Sequence, residues 1–301
     1  MNAVTPADGH RAGVVAVVGR PNVGKSTLVN ALVGQKVAIV SDKPQTTRRD
    51  IRAIRTTDQI QIVFTDTPGF HKPRTALGVR LNALVGDAVA GVDVVVLVVD
   101  GASGVGRGDA YVYERHVAGV GAHARLCVVN KIDRIRHHEV IPQLAAAGEL
   151  GDWDEIVPAS AVGGIGVDTL LDLLVARMPL GPPLFPDGEI TDQPLEVRIA
   201  ELVREQALAV TREEVPHSVA VVIEEIEHED GLDRIYASIV VERDSQKGIV
   251  IGKGGQTLKT IGSKAREQIE PLVGERVFLD LRVKVMKEWQ RDPKMLDRLG
   301  F

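Results

Sequence analysis

The sequence predicts two domains: an α/β domain with a mostly parallel sheet covered by helices on both faces, followed by a smaller α+β domain. Short apolar runs alternate with helix-compatible stretches over the first 180 residues. Residues 178–188 then interrupt this alternation with four prolines and two glycines. Beyond them the order is helix, strand, strand, helix, glycine loop, helix and strand. At 301 residues, the chain is long enough for two hydrophobic cores.

The first domain is assigned to residues 11–180, after a disordered start at residues 1–10. Apolar runs that are continuous or alternating predict its strands at 14–18, 51–57, 59–65, 94–99, 126–129 and 156–158. Asp58-Gln59 makes a tight turn between the second and third strands. Between the strands, helical stretches are predicted at 26–33, 77–90, 109–119, 138–147 and 167–177.

The second domain is assigned to residues 193–301, after a stiff linker at 181–192. Apolar residues at helical spacing predict its first helix at 195–210. Two strands follow at 217–225 and 234–242, separated by a turn at 229–231. A glycine run at 248–255 comes next, then a helix through Ile269 and a last strand at 276–285.

Composition and charge exclude several classes. Cys127 is the only cysteine and lies in an apolar run, so no intrachain disulfide forms and a buried thiol is expected. No apolar stretch is long enough to cross a bilayer, and the first residues do not show a basic start followed by a long apolar core, so a cytoplasmic protein that is neither secreted nor membrane-spanning is expected. Residues 246–301 hold twelve Lys and Arg against seven Asp and Glu, which gives this segment a net charge of +5. Since the net charge of the whole chain is −5, the other residues together carry −10. A local polyanion-binding surface near the end of the chain is therefore expected.

A phosphate-binding pattern follows the first predicted strand. Its glycines let backbone N–H groups turn towards a β-phosphate, Lys25 reaches the β and γ oxygens, and the Ser26 hydroxyl is a ligand for Mg²⁺. The strand, loop, helix context is the one that this motif requires. The pattern does not distinguish ATP from GTP. It assigns to the nucleotide Gly19, Asn22, Val23, Gly24, Lys25, Ser26 and Thr27.

A second pattern, Asn130-Lys131-Ile132-Asp133, identifies the base. Guanine carries two adjacent donors, N1 and the exocyclic amine, so the Asp133 carboxylate accepts from both. Adenine would leave this carboxylate unpaired and desolvated. A backbone N–H of Ser160-Ala161, after the last strand of the domain, is expected to donate to guanine O6. The sequence thus predicts a guanine-nucleotide site.

Two segments between these patterns are predicted to sense the γ-phosphate. Asp66-Thr67-Pro68-Gly69 follows a predicted strand; the acid holds a magnesium-bound water, and the Gly69 N–H contacts the γ-phosphate. The loop at 41–48 offers a hydroxyl to Mg²⁺ only while GTP is bound, with Thr47 favoured over Thr46. The expected magnesium ligands are Ser26, Thr47 and Asp66, and the expected catalytic residues are Lys25, Thr47, Gly69 and Asn22.

These motifs, in this order, resemble the translation-factor-related class of GTPases, which implies GTP hydrolysis that drives a conformational switch. Phe70 stands where signalling GTPases place a water-orienting glutamine, so slow intrinsic hydrolysis is expected. Related GTPases with a hydrophobic residue at this position use an asparagine like Asn22 to hold K⁺. The alternative is that Asn22 only hydrogen-bonds within its own loop.

The glycine run of the second domain predicts an RNA contact. Its loop lets a phosphodiester backbone approach the main chain, Lys253 neutralises phosphate, and the apolar residues 249–251 form a floor for unstacked bases. The surrounding element order resembles a type II KH domain, which implies single-stranded RNA. The expected RNA-binding residues are Ile249, Val250, Ile251, Gly252, Lys253, Gly254, Gly255, Lys259 and Lys264.

A GTPase of this class followed by one KH domain resembles the Era family of bacterial ribosome-assembly GTPases, from about Arg11 onwards. Segments 45–48 and 216–221 are also typical of that family. The resemblance implies binding near the 3′ end of small-subunit ribosomal RNA, GTP-controlled access of the KH domain to RNA and assistance in 30S assembly. A monomer and loose peripheral association with the cell membrane are also expected. Two alternatives stay open: a signalling GTPase whose C-terminal domain binds a protein, and a metabolic phosphotransferase.

Overall fold

The chain divides into two units. The computed structural model describes residues 9–43, 45–70, 73, 75–211 and 218–301. The second unit takes in Ile39–Thr46, Pro73–Val79 and Gln193–Phe301, and the first unit takes in the rest of the chain. Two short pieces of the predicted first domain therefore belong with the second unit.

The first unit is built on a six-stranded sheet in the order β2-β3-β1-β4-β5-β6. β2 is antiparallel to β3, and the other neighbours are parallel. β4 is buried along its whole length, as a parallel strand covered on both faces requires. The strands are β1 Arg11–Val18, β2 Ile51–Thr56, β3 Ile60–Asp66, β4 Val94–Asp100, β5 Ala124–Asn130 and β6 Glu155–Pro158.

Helices cover both faces of this sheet, as predicted. Two separate apolar clusters result, one on each side, since alternate residues of β1, β4 and β5 fall into different clusters. Cys127 lies in one of them, where burial raises the pKa of its thiol to about 12. The helices are α1 Lys25–Val33, α2 Ala76–Ala88, α3 Arg107–His116, α4 His137–Gly148 and α5 Val167–Arg177.

The segment predicted as a linker, residues 181–192, is tied to the first unit. The buried Gln61 side chain accepts from the N–H groups of Leu184 and Phe185, at 2.6 and 2.8 Å, and donates to the Phe185 carbonyl at 2.9 Å. Further along, Ile54 N–H donates to the Ile190 carbonyl at 2.9 Å. The segment thus lies along the β2 edge of the sheet.

His10, at the start of the first unit, is also hydrogen-bonded to the segment 181–192. His10 is 7% exposed, and its Nδ1 lies 2.8 Å from the Gly181 carbonyl oxygen. The predicted disorder of residues 1–10 is therefore wrong for His10, because its ring is buried and lies within hydrogen-bond distance of the Gly181 carbonyl oxygen. Residues 1–8 lie outside the described residues.

The second unit has the predicted order of elements around a three-stranded sheet, β7-β8-β9. β7 is antiparallel to β8, and β8 is parallel to β9. Residues 212–217, where the first strand was predicted to begin, lie outside the described residues. The elements are α6 Leu195–Val210, β7 Ala220–Glu229, β8 Leu232–Val241, α7 Asp244–Ile251, α8 Gln256–Val273, β9 Arg276–Val285 and α9 Pro293–Arg298.

Loop 39–46 joins the second unit through α6. Glu205 accepts a hydrogen bond from the Val40 N–H at 2.9 Å, and the buried Arg204 donates to the Thr46 carbonyl.

None of the helices in the described ranges combines the length and the apolar character that a membrane span needs.

Candidate nucleotide-binding and RNA-binding sites

The predicted nucleotide motifs meet at one edge of the large sheet. In a parallel sheet the carboxyl ends of the strands share an edge, and ligands bind beside it. Asp66 ends β3 opposite Val17 of β1, and Asn130 ends β5 opposite Asp100 of β4. The phosphate loop follows β1 directly and enters α1 at Lys25.

The phosphate loop has backbone conformations that its sequence explains. Gly24 has φ +100°, and a Cβ there would lie 2.3 Å from Asn130 Nδ2, so only glycine fits. The Lys25 ammonium donates back to the carbonyls of Gly19 at 3.3 Å and Arg20 at 3.1 Å. Burial lowers the pKa of Lys25 to about 8, and the negative charge of Asp66 opposes this shift.

Three oxygen-bearing side chains converge beside Lys25. Ser26 Oγ lies 2.6 Å from Asp66 Oδ2 and 2.9 Å from Thr47 Oγ1, which itself lies 3.2 Å from Asp66 Oδ2. The other carboxylate oxygen, Oδ1, is buried without a hydrogen-bond partner among the described residues. Burial raises the pKa of Asp66, whereas Lys25 and the two hydroxyls oppose this shift. A hard cation with oxygen ligands, such as Mg²⁺, fits this set.

The neighbouring threonine points elsewhere. Thr46 Oγ1 donates to the Lys43 carbonyl at 2.7 Å, within its own loop. The structure thus brings Thr47, and not Thr46, to Ser26 and Asp66.

The γ-phosphate segment lies against the phosphate loop. A Cβ on Gly69 would come within 2.6 Å of Pro21 Cα, so glycine allows this close approach. Phe70 N–H donates to the Gly19 carbonyl at 3.3 Å. The Phe70 ring is buried against His116, at 4.5 Å between centroids, and Tyr111, at 5.4 Å. It therefore serves as packing and has no group that orients water.

The guanine motif is bonded to the phosphate loop. Asn130 Nδ2 donates to the Val23 carbonyl at 2.9 Å, and Lys131 Nζ donates to the Asn22 carbonyl at 2.5 Å. Lys131 has φ +64°, a left-handed conformation that turns the chain into the short helical turn Ile132–Arg134. Asp133, within this turn, is exposed.

The backbone N–H groups of Ser160 and Ala161 both have partners within the protein. Ser160 N–H donates to the Ile165 carbonyl at 2.9 Å, and Ala161 N–H donates to Asn130 Oδ1 at 3.0 Å. The first bond closes the loop 160–165, and the second ties this loop to Asn130. The predicted bond from either N–H to guanine O6 would be shared with the acceptor that this N–H has within the protein.

Sequence reasoning missed Asp100. Its carboxylate accepts from Lys131 Nζ at 2.7 Å and from the N–H groups of Ala102 and Ser103. Burial opposes ionisation, but these hydrogen bonds and the charge of Lys131 lower the pKa of Asp100 below its usual value. The signal was in the sequence, since Asp100 ends an apolar strand as Asp66 does.

The glycine loop of the second unit lies between α7 and α8, as predicted. Gly252, Gly254 and Gly255 all have positive φ, at 72°, 60° and 77°. Ile249 is 49% exposed, and the three predicted lysines, Lys253, Lys259 and Lys264, are exposed.

Val250 does not join this surface. It is 0% exposed and packs in the core of the second unit. The expectation that Val250 helps to form a floor for bases is therefore wrong, because successive residues of α7 point in different directions.

Comparisons with known proteins identify a domain family for each unit. Residues 14–131 match the family model described as 50S ribosome-binding GTPase, and residues 214–290 match the KH domain model. The chain is 54% identical to GTPase Era of Mycobacterium avium over 295 residues, which cover 97% of this chain and 99% of that protein. Identity to GTPase Era of Mycobacterium tuberculosis H37Rv is also 54%, over 96% of this chain and 98% of that protein.

Solved structures of Era are similar over the same length. One is a crystal structure of Era in complex with MgGDPNP and nucleotides 1506–1542 of 16S ribosomal RNA, with a TM-score of 0.93 and 39% identity; the match covers 97% of this chain and 99% of that chain. Another is a variant of Aquifex aeolicus Era bound to GDP·AlF₄⁻, again with a TM-score of 0.93 and 39% identity, over 96% of this chain and 99% of that chain. With a GTPase family match at residues 14–131, a KH domain match at residues 214–290 and 54% identity over nearly its whole length, the chain belongs to the Era family of GTPases.

Proposed function

We propose that the protein is a GTP-hydrolysing switch that binds small-subunit ribosomal RNA near its 3′ end and assists 30S assembly. The observation that carries the proposal is that Asn130 and Lys131 are hydrogen-bonded to the phosphate loop. These bonds connect the proposed guanine-binding motif to the proposed phosphate-binding loop. The same chain carries an exposed glycine loop with lysines around it. A similar Era structure holds both MgGDPNP and 16S ribosomal RNA.

In this proposal, residues of the first unit bind and orient GTP. Ser26, Thr47 and Asp66 would hold Mg²⁺, which neutralises phosphate charge when bound. Lys25 lies beside them to neutralise the β and γ oxygens, and the Gly69 N–H would contact the γ-phosphate. Since Phe70 cannot orient water, intrinsic turnover is slow.

Thr47 links this chemistry to the second unit. Loop 39–46 belongs with α6, and Thr47 follows it directly. Release of Thr47 after hydrolysis would loosen this loop, which is the route that we propose from nucleotide state to RNA binding.

RNA would bind at the loop 252–255. Its glycines have no side chain that would keep a phosphodiester backbone away from the main chain, and Lys253, Lys259 and Lys264 would neutralise phosphates. Ile249 would contact an unstacked base.

The experiment measures GTP hydrolysis and binding of a single-stranded RNA with the sequence of the 16S 3′ end. GTP should be hydrolysed, and the RNA should bind the GTP-loaded protein. Lys253→Asp should weaken RNA binding and leave hydrolysis without RNA unchanged. Lys294→Asp, a charge reversal on α9, is the matched control. Absence of RNA binding with intact hydrolysis would favour the alternative, a GTPase whose C-terminal domain binds a protein.

Potassium is a finer part of the proposal. Asn22 is exposed in the phosphate loop with φ +63°, beside the expected phosphate position. If Asn22 helps to hold K⁺ there, GTP turnover in potassium should exceed turnover in sodium several-fold. Equal rates in potassium and in sodium would contradict a role of Asn22 in holding K⁺.

Peripheral membrane association and a monomeric state are proposed from the family resemblance alone.

A further inference from the structure

The buried carboxylate of Asp109 is a titratable group that the proposed mechanism does not use. It lies in the first turn of α3 and is 0% exposed. Its Oδ2 accepts from the Gly106 N–H at 3.0 Å, which caps the helix. Its Oδ1 accepts from Arg20 Nε at 2.7 Å. A buried carboxylate requires such partners, and here one of them is a residue of the phosphate loop.

The packing around this ion pair is also specific. A Cβ on Gly108, beside Asp109, would lie 2.6 Å from Arg20 Cδ. Glycine at this position therefore lets the Arg20 stem lie against α3. The phosphate loop is thus held at Arg20 by charge and by close packing.

Arg20 lies between two residues that contact the γ-phosphate segment. The Gly19 carbonyl accepts from Phe70 N–H, and Pro21 lies against Gly69. The Arg20 carbonyl itself accepts from Lys25 Nζ at 3.1 Å. A shift of Arg20 would therefore move Gly69 and Lys25 relative to the γ-phosphate.

We infer that Asp109 is a positioning residue for GTP hydrolysis: through Arg20 it fixes the part of the phosphate loop on which Gly69 rests. The inference rests on the GTP hydrolysis proposed above. It assigns to α3 a part in turnover, although α3 supplies none of the predicted nucleotide-binding residues. The base-binding half of the loop is held separately, by Asn130 at Val23.

The test compares turnover with nucleotide affinity. In Asp109→Asn, which keeps the size of the side chain but removes its charge, kcat at saturating GTP should fall about tenfold. The Kd for GDP should change less than about twofold, because binding to the other half of the loop is retained. Arg20→Gln should have the same effect. The double variant of Asp109→Asn and Arg20→Gln should have a kcat no lower than that of either single variant, because each substitution removes the same ion pair between Arg20 and Asp109.

Asp93→Asn is the matched control. The Asp93 carboxylate accepts from the Val14 N–H at 2.8 Å, so it also ties a loop to β1, but away from the phosphate loop. Its kcat should equal that of the unaltered protein. If Asp109→Asn fails to fold, Arg20→Lys keeps a cation beside the carboxylate and should show a smaller loss of kcat than Arg20→Gln.

Two results would overturn the inference. One is an unchanged kcat in both single variants; the other is an equal loss of GDP and GTP affinity with kcat retained, which would indicate uniform binding. Failure of the unaltered protein to hydrolyse GTP would instead overturn the proposed function, so the two failures are distinguishable.

Discussion

At the scale of single residues, Asp50 is a partly buried carboxylate whose negative charge is unfavourable in the folded protein. Its Oδ1 is buried without a hydrogen-bond partner among the described residues. Burial raises its pKa from 3.8 to about 6; Arg52 opposes this shift, and Asp192 adds to it. Between pH 3.8 and about pH 6, Asp50 therefore binds its proton more tightly in the folded protein than in the unfolded chain. The contribution of Asp50 to the free energy of unfolding therefore falls as the pH rises from about 4 to about 6.

Asp50→Asn, which is neutral throughout, should therefore stabilise the protein above this window. We expect a gain of about 1 kcal/mol at pH 7.5, reduced from the full shift because the side chain is partly exposed, and a smaller gain at pH 5. Urea unfolding without nucleotide at both pH values measures it. Asp58→Asn, in the exposed hairpin turn, is the control. Equal gains at both pH values would contradict the explanation.

Substitutions at the adjacent residues Ile249 and Val250 should have different effects, one on RNA binding and the other on the stability of the second unit. Val250→Ala should cost about 2 kcal/mol of unfolding free energy, because it opens a cavity in a closed core. Ile249→Ala should weaken RNA binding and leave the unfolding midpoint almost unchanged, since its side chain is half exposed. Urea unfolding and RNA titration of both variants check this pair. A stability loss in Ile249→Ala equal to that of Val250→Ala would contradict it.

The same pair shows what sequence can and cannot predict about a site. The apolar run identified both residues, but their directions depend on how α7 packs, which no local pattern specifies. Asp66 and Asn130 were predictable because strand ends share an edge. Asp109 was not, because its partner Arg20 is 89 residues away in sequence and meets it only through the placement of α3.

At the scale of elements, the fold was largely predictable because its strands are short apolar runs bounded by turn residues. The predicted and observed bounds of α5, α6 and β9 are identical. The pairing of residues 190–191 with β2 was not predictable, since a proline-rich segment has no strand pattern. The assignment of residues 39–46 to the second unit was also hidden, because it depends on Glu205 and Arg204 of α6.

The glycine loop between α7 and α8 gives a prediction at this scale. Gly252 has φ 72° and ψ 173°, a conformation almost restricted to glycine, and a Cβ there would lie 2.1 Å from Thr257 Oγ1. Gly254 has open space around it and a left-handed conformation that alanine adopts at a cost of about 1 kcal/mol.

Gly252→Ala should therefore destabilise the second unit by about 3 kcal/mol, and Gly254→Ala by about 1 kcal/mol. Thermal unfolding monitored by circular dichroism measures both variants. Similar losses in the two would show that the contact with Thr257 does not constrain the loop.

At the scale of the whole molecule, the division of charge predicts how RNA affinity depends on salt. The basic end carries +5 and the rest of the chain −10. If Lys253, Lys259 and Lys264 each neutralise one phosphate of a single strand, the logarithm of the binding constant should fall with the logarithm of salt at a slope of about −2.

Lys264→Ala should reduce the magnitude of this slope by about 0.7, because one counterion fewer is released. Fluorescence anisotropy at several potassium chloride concentrations measures it, with Lys294→Ala on α9 as the control. A slope near zero in the unaltered protein would contradict an electrostatic RNA surface.

The bonds between residues 184–191 and the first unit have a consequence for the chain during its synthesis. β2 is an edge strand, and an unpaired edge is a template for pairing with other chains. Until Ile190 has left the ribosome, the outer edge of β2 lacks the cover that pairs with Ile54 and Ala53. A fragment that ends at residue 180 should therefore aggregate more readily than one that ends at residue 192. On this basis the proline-rich segment would protect the nascent first unit against pairing with other chains.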